Sequence, residues 1–226
     1  MALTAALAGG CGSDSLDEPR RCLPPSGQSG SPTSIAQTVE LINALPHPVS
    51  LSCFLESLDR PLSLEATRSV ISLQPAAGRR SPRLFLLFGT ALSLSVVPEG
   101  AGSALLEFGE FVEPAVTVKG EVEFPVAEPL DAAAPYRHLA SERGTSCGGC
   151  HAQEQVAFTL GDVPAFKSEA LRPAPSLNVT LQALQEEHEK CDRILEPGRC
   201  ALLDAIFEHG EVKAGAFPNT LLTIFD

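Results

Sequence analysis

The sequence predicts an α+β protein, with an N-terminal antiparallel β-sandwich over residues 34–129 followed by a small helical domain over residues 130–226. In the first of these regions, short runs of alternating apolar and polar residues are separated by Pro and Gly. An alternation of period two is typical of a strand with one buried face. After residue 129 the apolar residues recur at steps of three and four, which indicates helices.

The composition is that of a soluble folded protein, because 44% of the 226 residues are hydrophobic and 19% are charged. The formal net charge is −12. This charge argues against nucleic acid as a partner, since binding of the phosphate backbone requires a basic surface. It is compatible with docking to a basic protein.

The first twelve residues resemble the end of a bacterial lipoprotein signal. Residues 7–11 form a lipobox-like stretch that ends at Cys11, and the resemblance implies that Cys11 is lipidated and anchors the protein to a membrane. A positively charged start and a longer apolar run are absent, so we interpret residues 1–12 as a truncated signal. Residues 13–33 are rich in Pro, Gly and Ser and are predicted to form a flexible tether.

The predicted sandwich begins with a short helix around residues 35–45 and continues as a series of short strands. These strands are expected at Val49–Cys53, Val70–Leu73, Leu84–Phe88, Leu92–Val97, Val116–Val118 and Val122–Val126. Six or seven short strands at this spacing favour an antiparallel sandwich. The basic cluster Arg79–Arg83 is interpreted as a solvated hairpin tip.

The main functional signal is the motif Cys147-Gly148-Gly149-Cys150-His151. Two cysteines separated by two residues and followed by histidine are the pattern by which exported proteins attach haem covalently. The motif resembles the haem-attachment site of the c-type cytochromes. This resemblance implies haem c bound through Cys147 and Cys150, with His151 as the proximal iron ligand. It also implies that residues 130–226 form a c-type haem domain.

Two other interpretations of the cysteine pair remain open. Thioredoxin-like proteins carry such a pair directly after a buried strand, whereas polar residues precede Cys147. A structural zinc site needs a second pair of ligands at matching spacing, which Cys191 and Cys200 supply poorly. A redox or structural disulfide and a metal site are therefore the alternatives to haem.

The second iron ligand cannot be an internal methionine, because Met1 is the only methionine. His188 lies on an apolar helical stripe with Leu181, Leu184 and Cys191, so it is the candidate distal ligand. Other histidines, a water molecule or an open position are the alternatives.

The seven cysteines can be divided without remainder, as expected in a compartment where free thiols oxidise. The predicted roles are lipidation for Cys11, haem attachment for Cys147 and Cys150, and disulfides for the pairs Cys22–Cys53 and Cys191–Cys200.

Two functions follow from the sequence. The first is an exported, lipid-anchored monohaem cytochrome-like protein of the periplasm or cell surface, which transfers single electrons to a redox partner protein. The second is a non-enzymatic surface lipoprotein with a β-sandwich interaction domain, in which Cys147 and Cys150 form a disulfide or a metal site. No catalytic residue is predicted for either.

Overall fold

The structure, a computed structural model, describes residues 21–141 and 144–226. Its helices are α1 (Ile35–Ala44), α2 (Leu51–Glu56), α3 (Ala134–Arg137), α4 (Leu181–Glu189) and α5 (Pro197–Phe207). Its strands are β1 (Leu62–Thr67), β2 (Arg83–Phe88), β3 (Leu92–Val96), β4 (Leu105–Glu113), β5 (Val116–Glu123), β6 (Ala140–Ser141), β7 (Gly144–Thr145), β8 (Gln155–Leu160), β9 (Val163–Glu169) and β10 (Val212–Ala214). The predicted α+β class is confirmed.

One mixed sheet contains eight of these strands, in the order β10-β1-β2-β3-β4-β5-β9-β8. All neighbours are antiparallel except β1 and β10, which are parallel. The other sheet in the described residues is the two-stranded pair β6–β7. A sandwich requires two packed sheets, and the described residues contain one large sheet instead. Strands from both sides of residue 129 belong to it.

The two faces of the large sheet differ in chemistry. The face toward the helices is apolar, and its buried side chains include Leu84, Leu86, Leu94, Leu106, Phe108 and Val122. Residues from α1, α2 and α5, among them Ile42, Phe54 and Ile206, complete this core. Because side chains alternate along a strand, the residues between these point to the opposite face. That face carries Arg83, Ser95, Glu107 and Lys119, and it lies beneath the Cys147 motif.

Three segments differ from their predicted secondary structure. Val49–Cys53, predicted as a strand, leads into α2, because the Ser50 hydroxyl accepts a hydrogen bond from the Cys53 N–H at 3.1 Å and caps the helix. Val70–Leu73 lies outside the strands, and its Val70 side chain is 68% exposed. In the region predicted to be helical, β8 and β9 form a hairpin around the turn at Gly161, whose φ is +63°.

Both predicted disulfides are present in the structure. Cys22–Cys53 ties residues 21–33 to α2, and Cys191–Cys200 closes the connection between α4 and α5. Cys11, with the rest of residues 1–12 and the first part of the predicted tether, lies outside the described residues. In the described ranges, no helix is long and apolar enough to cross a membrane.

The two disulfides are expected to contribute unequally to stability. Replacing both Cys191 and Cys200 by Ser removes a bridge with a sequence separation of 9 residues, and replacing Cys22 and Cys53 removes one of 31. In the chain-entropy picture the free energy of unfolding falls by about 2–3 kcal/mol for the shorter loop and about 3–4 kcal/mol for the longer one. Urea unfolding without reductant measures both losses. A larger loss for the Cys191–Cys200 pair would contradict this expectation.

Candidate functional site

The Cys147 motif forms a tight turn between β7 and β8. Residues Ser146–Gly149 make one turn of 3₁₀ helix, which the Thr145 hydroxyl caps by accepting a hydrogen bond from the Cys147 N–H at 3.1 Å. The N–H groups of Cys150 and His151 both donate to the carbonyl oxygen of Cys147, at 3.0 Å. Local hydrogen bonds therefore hold the two thiols and the imidazole on one compact segment.

Glu154 stabilises this turn from the inside. Its carboxylate accepts hydrogen bonds from the Thr145 N–H at 2.8 Å and from the Thr145 hydroxyl. A Cβ atom on Gly148 would lie 2.9 Å from the same carboxylate, and one on Gly144 would lie 2.1 Å from it. The small residues at these positions let the backbone approach the carboxylate closely. At Gly149, by contrast, a Cβ atom would meet nothing within 4 Å.

The imidazole of His151 is held in one orientation. Its Nδ1 lies 2.8 Å from the carbonyl oxygen of Glu169, at the end of β9. A carbonyl oxygen can only accept, so Nδ1 carries the hydrogen and Nε2 carries the lone pair. No residue in the described ranges forms a hydrogen bond with Nε2. Burial, and next the nearby charge of Lys119, lower the pKa of His151 to about 4, so the ring is neutral at pH 7.

Lys119 projects from β5 toward the motif and is only 8% exposed. Its Nζ lies 2.6 Å from the Thr117 hydroxyl and 3.5 Å from Nδ1 of His151. Because the Nδ1 hydrogen is directed to Glu169, Lys119 contacts the ring without donating to it. Burial lowers the pKa of Lys119 to about 8. A salt bridge between Arg83 and Glu107 lies on the same face of the sheet.

The two thiols have different environments. Cys147 is partly buried, Cys150 is exposed, and neither forms a disulfide. Burial, and next the negative charge of Glu107, raise the pKa of Cys147. A nucleophilic cysteine needs a lowered pKa, because the thiolate is the reactive form. The environment of Cys147 is therefore unlike that of a thiol–disulfide oxidoreductase.

A cleft beside the turn, which we call the motif cleft, encloses about 130 Å³. Cys147, Cys150 and His151 form one wall, and Arg83 and Arg172 contribute positive charge. The remaining lining is mostly apolar and includes Ile71, Leu73, Phe85, Leu171, Pro173, Ile224 and Phe225. Ile71, Leu73 and Phe225 are 48%, 54% and 61% exposed. A smaller cavity of about 80 Å³ lies beneath the motif and is lined by Lys119, Glu107, Cys147 and His151.

The thiols and the imidazole of the motif do not converge on one point. In the part of the chain that the structure describes, only His188, Asp204 and Glu208 form a group of three such residues whose ligand atoms all lie within 4.8 Å of one another. A single metal ion held jointly by Cys147, Cys150 and His151, as in the metal-site alternative, does not fit this arrangement.

His188, the candidate distal ligand, is not brought to the motif cleft. The apolar stripe of α4 packs on the core and on α5, and Nε2 of His188 lies 2.8 Å from Oδ1 of Asp204. His138 and His209 do not line the motif cleft either; Nδ1 of His138 is 4.0 Å from Glu121 and Nε2 of His209 is 3.8 Å from Glu56.

The sequence interpretation missed three residues of the site. Glu154 follows His151 by three positions, but its contacts depend on how the turn folds back. Because Lys119 alternates with Val118, the sequence places it on the polar face of a strand. The sequence does not indicate that another segment covers this face. Arg83, assigned to a solvated tip, lies in the motif cleft because β2 begins at that residue.

Comparisons of the chain with family models, with curated proteins and with solved structures gave no match.

Gly148→Ala is expected to loosen the turn, because the new methyl group displaces the Glu154 carboxylate from Thr145. The local free energy of opening should fall by about 1.5–3 kcal/mol, the value of a hydrogen bond to a charged group. Hydrogen exchange at the Thr145 amide measures this change. Gly149→Ala is the matched control and should leave the exchange rate nearly unchanged, so equal effects of the two variants would show that the Glu154 contact does not stabilise the turn.

The two motif thiols should differ in reactivity in the protein without haem. Cys150 is exposed, whereas Cys147 is partly buried with a raised pKa, so iodoacetamide should alkylate Cys150 first. Mass spectrometry of peptides taken at successive times at pH 7.5 gives both rates. Faster alkylation of Cys147 would mean that its thiol is activated, and would favour the interpretation of Cys147 and Cys150 as a redox pair.

Proposed function

We propose that this protein binds one haem covalently through Cys147 and Cys150, with Nε2 of His151 as the proximal iron ligand, and that it carries single electrons. The observation that supports this proposal most strongly is the hydrogen bond from Nδ1 of His151 to the carbonyl oxygen of Glu169. Histidines that ligate metals usually donate their other ring N–H to a carbonyl or carboxylate, which fixes the tautomer and the ring orientation. His151 has this arrangement before any metal is bound.

The spacing of the three side chains also suits haem better than a bare metal ion. In covalent haem the thioether bonds form at the edge of the macrocycle, whereas the histidine binds the iron at its centre. The attachment residues must therefore lie on one turn without converging on one point. The motif meets both conditions, since Cys147 and His151 share a hydrogen-bonded turn and the ligand atoms of Cys147, Cys150 and His151 do not all lie within 4.8 Å of one another.

The motif cleft fits one part of a large apolar ligand. Three of its apolar side chains are half exposed, and such surfaces are commonly covered by a ligand or a partner. Arg172 supplies a cation for a carboxylate substituent such as a haem propionate, whereas Arg83 in the same cleft is paired with Glu107. The enclosed volume of about 130 Å³ is below the roughly 300–1,000 Å³ of pockets that bury a ligand, so a haem here would be partly exposed.

Haem iron supplies reversible one-electron transfer, and the residues around it determine when and with what partner this transfer occurs. His151 is held neutral by burial and Lys119, so its lone pair is available at pH 7. Nε2 of His188 contacts Asp204 at 2.8 Å, which supports a second ligand other than His188. The net charge of −12 favours a basic protein as the redox partner.

We further propose that the protein is exported and lipid-anchored at Cys11, in the periplasm or at the cell surface. The two disulfides support an oxidising compartment, in which such bonds persist. The alternative function is a surface lipoprotein without haem, in which Cys147 and Cys150 are oxidised to a disulfide. Both thiols are free in the structure, so the alternative function requires their oxidation to a disulfide.

Coexpression with a haem-maturation system should give a protein whose Soret absorbance remains with the chain after denaturation and acid–acetone extraction. Cys147→Ser with Cys150→Ser should abolish the retained haem, because no thioether can form. His151→Ala should alter the low-spin or high-spin spectrum of any haem that is attached, since the proximal ligand is lost.

The pair Cys191→Ser and Cys200→Ser is the matched control for removal of two cysteines and should retain the haem. A wild-type chain that carries no covalent haem, with Cys147 and Cys150 found as a disulfide by mass spectrometry, would instead support the alternative function.

A further inference from the structure

Three side chains at the α4–α5 hairpin bring their ligand atoms together, away from the haem motif. Nε2 of His188 lies 2.8 Å from Oδ1 of Asp204 and 3.6 Å from Oε1 of Glu208, and all three atoms lie within 4.8 Å of one another. We call these residues the His–Asp–Glu cluster. We propose that the cluster is a binding site for a divalent transition-metal ion of the zinc type. This proposal does not depend on the proposed function.

The distances between the three ligand atoms suit a single ion bound by all three residues. Zinc binds histidine nitrogen and carboxylate oxygen at about 2.1 Å, so ligand atoms on one ion lie about 3.0 Å apart at octahedral angles and about 3.4 Å apart at tetrahedral angles. The observed separations of 2.8 and 3.6 Å lie on either side of these values. Small rotations of the side chains would therefore place all three atoms around one ion.

The backbone holds the cluster together. Asp204 lies on α5 and Glu208 follows it by four residues, so both carboxylates lie on one side of the helix, one turn apart. His188 is near the end of α4, and its ring stacks at a centroid distance of 5.4 Å on Phe207. The Cys191–Cys200 disulfide closes the connection between the two helices. The positions of the three ligands are thus fixed before an ion arrives.

The cluster is also open to solvent on one side. The side chains of His188, Asp204 and Glu208 are 16%, 23% and 48% exposed. Water molecules can therefore complete the coordination of an ion that has three protein ligands. One imidazole and two carboxylates are ligands that suit zinc and its neighbours in the first transition row.

Arg193 occupies the place of the cation in the structure. Its guanidinium donates to Asp204 at 2.7 and 3.2 Å and to Glu208 at 3.0 Å. The side chain of Arg193 is 55% exposed, but it contacts both carboxylate oxygens of Asp204 and also Glu208, so it competes with an ion for both carboxylates. Two carboxylates face one guanidinium, so the site retains negative charge. A metal ion would displace Arg193 into solvent. It would bind Nε2 of a neutral His188 imidazole, whose single hydrogen would then lie on Nδ1, and any second proton would be released to solvent.

The test uses the full chain with Cys147→Ser and Cys150→Ser, so that the motif thiols cannot bind the probe. Titration with zinc chloride in a calorimeter should give one zinc ion per chain. Asp204→Asn should weaken binding by at least about tenfold, since even changes outside the metal ligands cost about 10–100-fold. Arg193→Met should tighten binding by about tenfold, because the competing surface cation is removed.

Glu186→Gln is the matched control, because it removes one carboxylate from the same hairpin outside the cluster. Among the ion pairs of the described residues, Glu186 is paired only with Lys190, at 3.6 Å. It should leave zinc binding unchanged. Circular dichroism verifies that each variant is folded, and Glu208→Gln replaces Asp204→Asn if the latter is not. Absence of zinc binding, equal losses in Asp204→Asn and Glu186→Gln, or no tightening in Arg193→Met would each overturn the assignment.

Discussion

The attachment of the Cys147 turn to the end of β9 determines the geometry of the candidate site. Nδ1 of His151 donates to the carbonyl oxygen of Glu169, and the N–H of Glu169 donates to the carbonyl oxygen of Ala152 at 3.1 Å. Glu169 in turn pairs with Val116 of β5. The motif is therefore connected through two hydrogen bonds to the end of β9 and, through its pairing, to β5. Without this connection the imidazole would rotate freely, and its lone pair would have no defined direction.

The turn that these hydrogen bonds hold in place also covers part of the polar face of the large sheet. The turn covers Lys119, whose charge costs free energy when it is removed from water. Thr117 offers an acceptor at 2.6 Å, and the lowered pKa of about 8 reflects the incomplete compensation. Glu107 on β4 is balanced by Arg83 on β2, which reaches it across β3. Polar groups that are buried at such a cost and converge on one cleft are typical of functional sites rather than of structural cores.

The sequence predicts what depends on local pattern and misses what depends on chain folding. The helix at residues 35–45 is close to α1 because its apolar spacing and its Ser34 cap are local features. The two disulfides were predicted by dividing the cysteines, without any knowledge of distance. The hairpin of β8 and β9 was missed, although Val156, Phe158 and Leu160 alternate with Ala157 and Thr159 before the turn at Gly161.

For the site residues, too, local pattern predicts the strand face, whereas the contacts of the side chains depend on tertiary structure. Periodicity places Lys119 and Glu107 on one face of their strands, but only tertiary structure decides that a loop covers this face. The side chain of Glu154 could not be assigned because its partner, Thr145, precedes it by nine residues across an irregular turn. Arg83 was assigned to solvent because it belongs to a basic run, whereas the strand that begins there directs it into the motif cleft.

The interpretation of His188 depends on the residues around it. Its helical spacing alone suggests an iron ligand, whereas its contacts in the structure suggest a different metal site. On an apolar stripe it is the candidate distal ligand, since the chain has no internal methionine. In the structure it faces two carboxylates and an arginine on the far side of the α4–α5 hairpin. A histidine already hydrogen-bonded to Asp204 would have to break that contact before its Nε2 could bind iron. His188 therefore lies among the ligand atoms of the His–Asp–Glu cluster and does not line the motif cleft.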